Sequence, residues 1–151
     1  MSVLVAGGTG FLGTAVVREL VDSGYSVTAT WVVERERERL ADQPVELVQA
    51  DLFDPAAVDA AVGGVGELEA VVNLVGGYAE GPRVHETDPE EFDKLMRLNV
   101  KPCFLLARAA MPRLIERGIA ARASRKHGLT FRRISLSNSS GSVSCTLGPS
   151  A

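Results

Sequence analysis

The stretch SVLVAGGTGFLG, residues 2–13, decides the fold of this 151-residue chain. It begins with an apolar run, SVLVA, and continues at once with glycines at Gly7, Gly8, Gly10 and Gly13. The apolar run predicts a strand that is buried on both faces, as in a parallel sheet. The segment after the glycines predicts a helix that ends at Gly24. The glycines therefore occupy a turn from a buried strand into a helix.

The predicted helix has apolar residues at helical spacing, and these are Phe11, Leu12, Ala15, Val16, Leu20 and Val21. At its N-terminus the backbone N–H groups are unpaired and the helix dipole is positive, so a phosphate fits there. Gly7 allows the tight turn, Gly10 allows close approach of a pyrophosphate, and Gly13 allows the helix to pack on the strand. We predict a phosphate-binding turn, with a purely structural turn as the alternative.

The rest of residues 1–117 alternates strands with helices. YSVTAT, PVELVQA and LEAVVNLVGG predict strands, and VVERERERLADQ predicts a helix with a solvated, charged face. Asp54 with Pro55, and Asp88 with Pro89, are typical of helix starts. Residues 88–117 predict two helices, because Pro102 and Pro112 interrupt the pattern. The alternation predicts an α/β fold, a doubly wound parallel sheet of Rossmann-like type with strand order 3-2-1-4 and an incomplete C-terminal half.

Composition excludes several classes of protein. With 46% hydrophobic and 23% charged residues, the chain resembles an ordinary soluble domain. No apolar run approaches the roughly 18 residues of a membrane helix, and no basic leader precedes SVLVA, so we expect a cytoplasmic protein without a membrane partner. Two cysteines and two histidines, far apart, predict neither a disulfide framework nor a metal site.

A sharp change in composition divides the chain near residue 117. All nineteen acidic residues lie in residues 1–116, whereas residues 117–151 hold six basic residues and no acidic one. We therefore expect a dinucleotide-binding domain at 1–117 and an atypical basic, serine-rich tail at 118–151 that arose by truncation, frameshift, splicing or fusion. The tail has no aromatic platform, so its composition argues against a nucleic-acid partner.

Together these features resemble the short-chain dehydrogenase/reductase family. The turn has the G-x-x-G-x-x-G form of the family's extended and atypical branches. Asp51 in QADLFD matches the acid that meets the adenine, Asn73 in NLVGG matches the end of the fourth strand, and Asn99 in LNV matches the active-site asparagine. Each also has a plainer interpretation: Asp51 as a turn cap, Asn73 as a strand-end residue that satisfies the backbone, and Asn99 as a helix-end residue.

The resemblance implies a cofactor, NAD or NADP. The residues that it implies around the cofactor are Gly7, Thr9, Gly10, Phe11, Leu12, Gly13, Trp31, Arg35, Asp51, Leu52, Asn73 and Gly76. The choice between the two cofactors stays open, because Trp31 and Val32 stand where an acid would bind the ribose of NAD or a base the extra phosphate of NADP. Trp31 is suited to flank the adenine, and Arg35 lies one helical turn further on.

The resemblance also implies hydride transfer between an alcohol and a carbonyl, for which the family uses a tyrosine in Y-x-x-x-K to move the proton. Neither Tyr25 nor Tyr78 has a lysine four residues later. By the family's usual spacing its serine would fall at residues 126–127, which are Lys126 and His127. In an alternative register, which needs an insertion of about a dozen residues, it falls at Ser139. We therefore expect a parent oxidoreductase activity that this chain does not carry out; the alternative is a non-catalytic dinucleotide-sensing or protein-interaction module.

Self-association is a further expectation. A central strand of a doubly wound sheet is normally paired on both sides. If no strand follows the fourth, its outer edge presents unpaired amides and carbonyls, which favour association with another chain.

Overall fold

A computed structural model describes residues 1–117 with their side chains and, as backbone strands, residues 130–131, 134–139 and 142–147. Four parallel strands form one side of the sheet: β1 (Ser2–Ala6), β2 (Ser26–Trp31), β3 (Glu46–Gln49) and β4 (Leu68–Asn73). Their order in space is β3-β2-β1-β4. This order and the parallel direction of every pair confirm the doubly wound fold.

The helices follow the strands as the alternating pattern predicts. They are α1 (Phe11–Asp22), α2 (Glu34–Arg37), α3 (Pro55–Gly64) and α4 (Pro89–Glu116). Two short 3₁₀ turns add to them, at Glu38–Leu40 directly after α2 and at Val84–Glu86 before α4. The predicted charged helix after β2 is therefore much shorter than its sequence pattern, with four α-helical residues.

Strand β1 lies at the centre of the protein, with both faces covered. Leu4 and Ala6 belong to the core beneath α3 and α4, whereas Val3 and Val5 belong to the core beneath α1. All four are buried, because successive side chains of a strand point to opposite faces and both faces of this sheet carry helices.

The predicted helix ends are confirmed. The carboxylates of Asp54 and Asp88 accept hydrogen bonds from the backbone amides of Ala56 and Glu90, at 3.1 and 2.9 Å. Gly24 has a φ of +84° and donates its amide to the carbonyl of Val21 at 2.9 Å, which ends α1 in the left-handed conformation.

The buried face of α1 differs from the predicted one. Its fully buried residues are Gly13 and Val17, with Leu20 and Val21 packed at the edge of the core. Phe11 and Leu12 are instead 97% and 56% exposed. Both stand in the first turn of α1.

The prediction of two helices over residues 88–117 is wrong: α4 is one helix of 28 residues that contains both Pro102 and Pro112. A proline inside a helix costs about 3 kcal/mol. Leu105, Leu106 and Leu114 are buried against α3 and the sheet on one face of α4, and this burial offsets the cost. Continuous packing thus keeps the helix intact across two local breaks.

The expectation of an unpaired edge on β4 is also corrected. Val71–Asn73 pair with residues of the strand Ser142–Leu147 in antiparallel direction, and that strand pairs in turn with Ile134–Ser139. Thr130–Phe131 completes the sheet at this side. The carboxyl-terminal half of β4 therefore has a backbone partner, so self-association does not follow from an open edge there.

Among the described residues, no helix combines the length and the apolar character needed to cross a membrane.

Candidate functional site

A cleft of about 380 Å³ opens where the strand order reverses between β1 and β4. In open α/β sheets ligands bind at such a reversal, outside the carboxyl ends of the strands. The volume lies within the range of small-molecule sites, roughly 300–1,000 Å³. Four segments form its walls: the glycine turn, the end of β2 with α2, the loop after β3, and the loop after β4.

The glycine turn is held by two constraints on its backbone. Gly7 has a φ of +77°, which side-chain-bearing residues rarely adopt, and its amide donates to the buried hydroxyl oxygen of Thr30 at 2.9 Å. A Cβ on Gly13 would lie 2.2 Å from the carbonyl oxygen of Gly7 and 2.6 Å from that of Gly8. Helix α1 therefore starts as close to the end of β1 as a glycine permits.

Gly10 is the N-cap of α1, and no side chain caps the helix there. Its backbone is extended, and an added Cβ would meet only the Gly7 carbonyl oxygen, at 3.3 Å. The first amides of a helix have no partner within the helix, and the dipole gives them positive potential. Gly10 lines the cleft, so the N-terminus of α1 adjoins it, and the helix amides that follow Gly10 are suited to hold a phosphate group there.

The wall after β3 contains Asp51, Leu52 and Phe53. One carboxylate oxygen of Asp51 accepts the backbone amide of Phe53 at 2.9 Å, so the aspartate caps its own turn. Leu52 is buried in the core beneath α3. The turn is anchored by this leucine and holds Asp51 exposed at the cleft, so the capping and the ligand-facing interpretations of Asp51 are compatible.

Two buried donors near the cleft have no hydrogen-bond partner within the part of the chain that the structure describes. They are the indole Nε1 of Trp31, a residue 9% exposed, and the amide nitrogen of Asn73, a residue 1% exposed. The amide oxygen of Asn73 accepts the backbone amide of Val75 at 3.1 Å, which supports the strand-end interpretation. Unpaired buried donors are costly, and they concentrate here at the ends of β2 and β4.

The structure brings most of the predicted cofactor residues to one cleft. Those that line it are Gly7, Thr9, Gly10, Trp31, Asp51, Leu52 and Gly76. The remaining predicted residues lie outside the lining, and these are Phe11, Leu12, Gly13, Arg35 and Asn73. Residues that line it without having been predicted as site residues are Thr30, Val32, Glu36, Phe53, Leu74 and Val75. Thr30 could have been found from the sequence, because it is a polar residue inside a strand that is buried.

Asn99 lies in the interior of α4, so the helix-end interpretation is wrong. Its carboxamide makes three hydrogen bonds: the oxygen accepts the amide of Gly77 at 3.0 Å, and the nitrogen donates to the carbonyls of Gly77 and Leu95 at 2.9 Å each. It therefore fastens the loop after β4 to the helix. Ser139 ends a described strand, and residues 126–127, the other position for a serine, lie outside the described residues.

These features define a dinucleotide-binding domain of Rossmann-like type. The family model described as short chain dehydrogenase matches residues 1–123, and the chain belongs to this family of oxidoreductases. NAD or NADP is the cofactor class that goes with the family, as the resemblance implied.

The chain is similar to two curated dehydrogenases and to a solved structure. It is 36% identical over 77 residues to 2-(R)-hydroxypropyl-CoM dehydrogenase of Xanthobacter autotrophicus, covering 47% of this chain and 31% of that protein. It is 29% identical over 126 residues to 3alpha-hydroxysteroid dehydrogenase of Mediterraneibacter gnavus, covering 76% and 50%. Serine dehydrogenase of Escherichia coli shares its fold, with a TM-score of 0.70, 24% identity and coverage of 78% and 57%. The chain spans about half or less of the curated relatives' length.

The close approach at Gly13 generates a stability prediction. Gly13→Ala forces α1 away from the end of β1, because the new methyl group overlaps two backbone carbonyls, and we expect a loss of at least about 2 kcal/mol in the free energy of unfolding. The matched control is Gly63→Ala in α3, where an added Cβ meets nothing within 4 Å. There we expect a gain of up to about 1 kcal/mol from helix propensity. Urea unfolding followed by circular dichroism measures both, and equal stability of the two variants would contradict the packing argument.

Proposed function

We propose that this chain binds NAD(H) or NADP(H) in the cleft at the end of β1 and, as the 151 residues stand, turns over little or no alcohol or carbonyl substrate. One observation carries the binding proposal: Gly10, the N-cap of α1, lines the cleft, no side chain caps the helix there, and the missing side chain of the glycine leaves the approach open. The bound cofactor would supply hydride to a carbonyl or accept it from an alcohol.

The residues of the cleft divide between the parts of a dinucleotide. The turn at Gly7 and Gly10, with the first amides of α1, suits the pyrophosphate. Asp51 and Leu52 suit the adenine, since an apolar residue lies beside an exposed hydrogen-bond acceptor. The exposed side chains of Phe11 and Leu12 stand on the first turn of α1, and we propose that they flank the bound pyrophosphate and the groups beyond it.

A second function, a non-catalytic dinucleotide-sensing or interaction module, is favoured by a specific observation. The carboxamide of Asn99, the residue that resembles the family's active-site asparagine, is occupied on both sides by the backbone of Gly77 and by Leu95. Neither tyrosine precedes a lysine by four residues. A module of this kind would bind the dinucleotide without converting it. The loop after β4 would then signal whether the dinucleotide is bound.

The binding proposal predicts that NADH quenches the fluorescence of Trp31 in a saturable way. Trp31 is the only tryptophan of the chain and lines the cleft, so the signal reports this site alone. Gly10→Ala places a methyl group between the α1 amides and the pyrophosphate, and we expect at least about tenfold weaker binding because the phosphate is held off its donors. The extended backbone of Gly10 accepts alanine, so the fold should be retained.

The matched control for that titration is Gly81→Ala, since an added Cβ at Gly81 meets nothing within 4 Å and the residue lies outside the cleft. Its affinity for NADH should equal that of the unchanged chain. Free N-acetyltryptophanamide corrects for absorption by NADH. Absence of saturable quenching in the unchanged chain would overturn the binding proposal.

The turnover proposal predicts no loss of reduced nicotinamide when the 151-residue chain is mixed with NADH or NADPH and a panel of ketones and aldehydes. The reason is that no tyrosine–lysine pair is present to give the proton to the substrate oxygen. The measurement is reduced-nicotinamide absorbance over time, with a bound cofactor verified beforehand. Steady carbonyl reduction that Asn99→Ala abolishes would instead favour an active enzyme over the sensing module.

We also propose that the chain self-associates through α4. Five large apolar residues of this helix are exposed, namely Phe92, Met96, Val100, Phe104 and Ile115. Four of them recur every fourth residue, so they form a stripe along the helix. An exposed apolar stripe of this size marks an interaction surface, and an isologous contact lets a second copy of α4 cover it along its length.

This proposal predicts a concentration-dependent mass in sedimentation equilibrium. Replacing both Phe92 and Phe104 by Gln should raise the dissociation constant of the dimer at least about tenfold, because two aromatic side chains lose their burial. Val84→Gln, at an exposed residue outside α4, is the control and should leave the dissociation constant unchanged. A monomer at every concentration would refute the α4 interface.

We propose a cytoplasmic location on the ground of composition, since two widely spaced cysteines, of which Cys103 is buried, suit a reducing compartment.

A further inference from the structure

The peptide unit between Thr9 and Gly10 joins the glycine turn to the first turn of α1, and both residues line the cleft. Gly10 has no side chain, and the backbone of a glycine adopts many conformations at similar free energy. The peptide unit can therefore rotate unless other groups hold it. Its orientation decides whether a carbonyl oxygen or an N–H group points to a given place in the turn.

The structure holds this peptide unit at both ends. The N–H of Gly10 donates to the carbonyl oxygen of Gly7 at 3.1 Å, and the carbonyl oxygen of Thr9 accepts Nη1 of Arg39 at 2.8 Å. The C=O and the N–H of a trans peptide point in opposite directions. Rotation by half a turn would therefore break both hydrogen bonds and bring the Thr9 oxygen toward the Gly7 oxygen.

Arg39 is itself held in place by its neighbours. The next residue, Leu40, is 1% exposed and belongs to the core beneath α1. The backbone carbonyl of Arg39 accepts Nη2 of Arg18, a residue of α1, at 3.4 Å. The guanidinium of Arg39 thus reaches the glycine turn from a backbone position that the core and α1 determine.

An ion pair with Glu36 limits what Arg39 can contribute. The Glu36 carboxylate lies 3.3 Å from the same Nη1 and offsets its positive charge, so the pair attracts a phosphate group only weakly. The planar guanidinium still keeps an N–H group on the Thr9 carbonyl. Arg39 therefore acts through the backbone of the turn and not by direct attraction of the ligand.

We infer that Arg39 is a positioning residue for the phosphate groups of the bound dinucleotide, because it fixes the orientation of the Thr9–Gly10 peptide unit. The inference rests on the proposed function and concerns the same cleft. Among the described residues that line the cleft none is basic, so the phosphate groups depend on backbone N–H donors. A carbonyl oxygen rotated toward them would repel them, whereas a turn that is fixed beforehand binds without the cost of ordering.

The test compares NADH, ADP and adenosine as ligands of the full 151-residue chain, through the quenching of Trp31 by NADH and its reversal by the other two. Arg39→Met keeps most of the apolar stem and removes the donors. We expect NADH and ADP to bind at least about tenfold more weakly, and adenosine, which has no phosphate, to change by less than about twofold. Arg39→Lys keeps a donor for the Thr9 carbonyl and should restore ADP binding to within about threefold of the unchanged chain.

Arg108→Met is the matched control. Arg108 pairs with Asp59 at 3.3 Å and its side chain is 49% exposed, against 3.3 Å and 47% for Arg39. It lies in α4, outside the cleft lining, and its replacement changes the net charge by the same amount. All three dissociation constants should equal those of the unchanged chain, and an equal loss of ADP binding there would contradict the inference. Circular dichroism verifies that each variant is folded.

Three further outcomes overturn the inference while leaving dinucleotide binding intact. They are unchanged ADP binding in Arg39→Met, an equal loss of ADP and adenosine binding, and a loss in Arg39→Lys as large as in Arg39→Met. Failure of NADH to bind the unchanged chain is a different result, because it refutes the proposed function itself.

Hydrogen exchange of the Gly10 amide tests the inference even if Arg39→Met fails to fold. A peptide unit that is held at both ends predicts at least about tenfold protection of this amide in the unchanged chain without ligand. Exchange at the rate of an unprotected amide would show that the peptide unit rotates freely, and the inference would then be wrong.

Discussion

The contact between the first turn of α1 and the carbonyls of Gly7 and Gly8 is the constraint on which the cleft depends. It is possible only because Gly13 has no side chain, since a Cβ would lie 2.2 Å from the nearer oxygen. The contact brings the positive end of α1 to the end of β1. Thr30 and Arg39 then bind the same turn, through the amide of Gly7 and the carbonyl of Thr9. The glycine turn is thereby joined both to the end of β2 and to the 3₁₀ turn that carries Arg39.

The opposite wall depends on asparagines rather than glycines. Asn73 turns the chain at the end of β4 by accepting the amide of Val75, and Asn99 fastens Gly77 to the interior of α4. A loop held by side-chain hydrogen bonds keeps a defined shape without regular structure. The cleft is therefore shaped largely by contacts within the chain, and a ligand that enters it meets a wall already in position.

The parts of the fold that were predictable are those with a local cause. Strand β1, the stop at Gly24 and the caps at Asp54 and Asp88 follow from hydrophobic period, φ preference and short-range hydrogen bonds, all readable in a few residues. The length of α2 and the continuity of α4 were not predictable in this way. In α4 the packing of Leu106 and its neighbours outweighs the local effect of two prolines, and such packing involves residues far away in the sequence.

For the site, the sequence by itself determined the glycine turn and its place between a strand and a helix, because these depend on residue types at fixed short spacing. The cofactor class came from the family resemblance that these motifs carry. Only the tertiary structure decided which charged residue of the run after β2 reaches the cleft. Arg35, Glu36 and Arg37 are consecutive, and helix direction together with the Arg39–Thr9 contact selects Glu36. The tertiary structure likewise put Asn99 in the middle of a helix, where its carboxamide is used to hold a loop. A side chain's direction is set by what its backbone packs against, and that is a property of the whole fold.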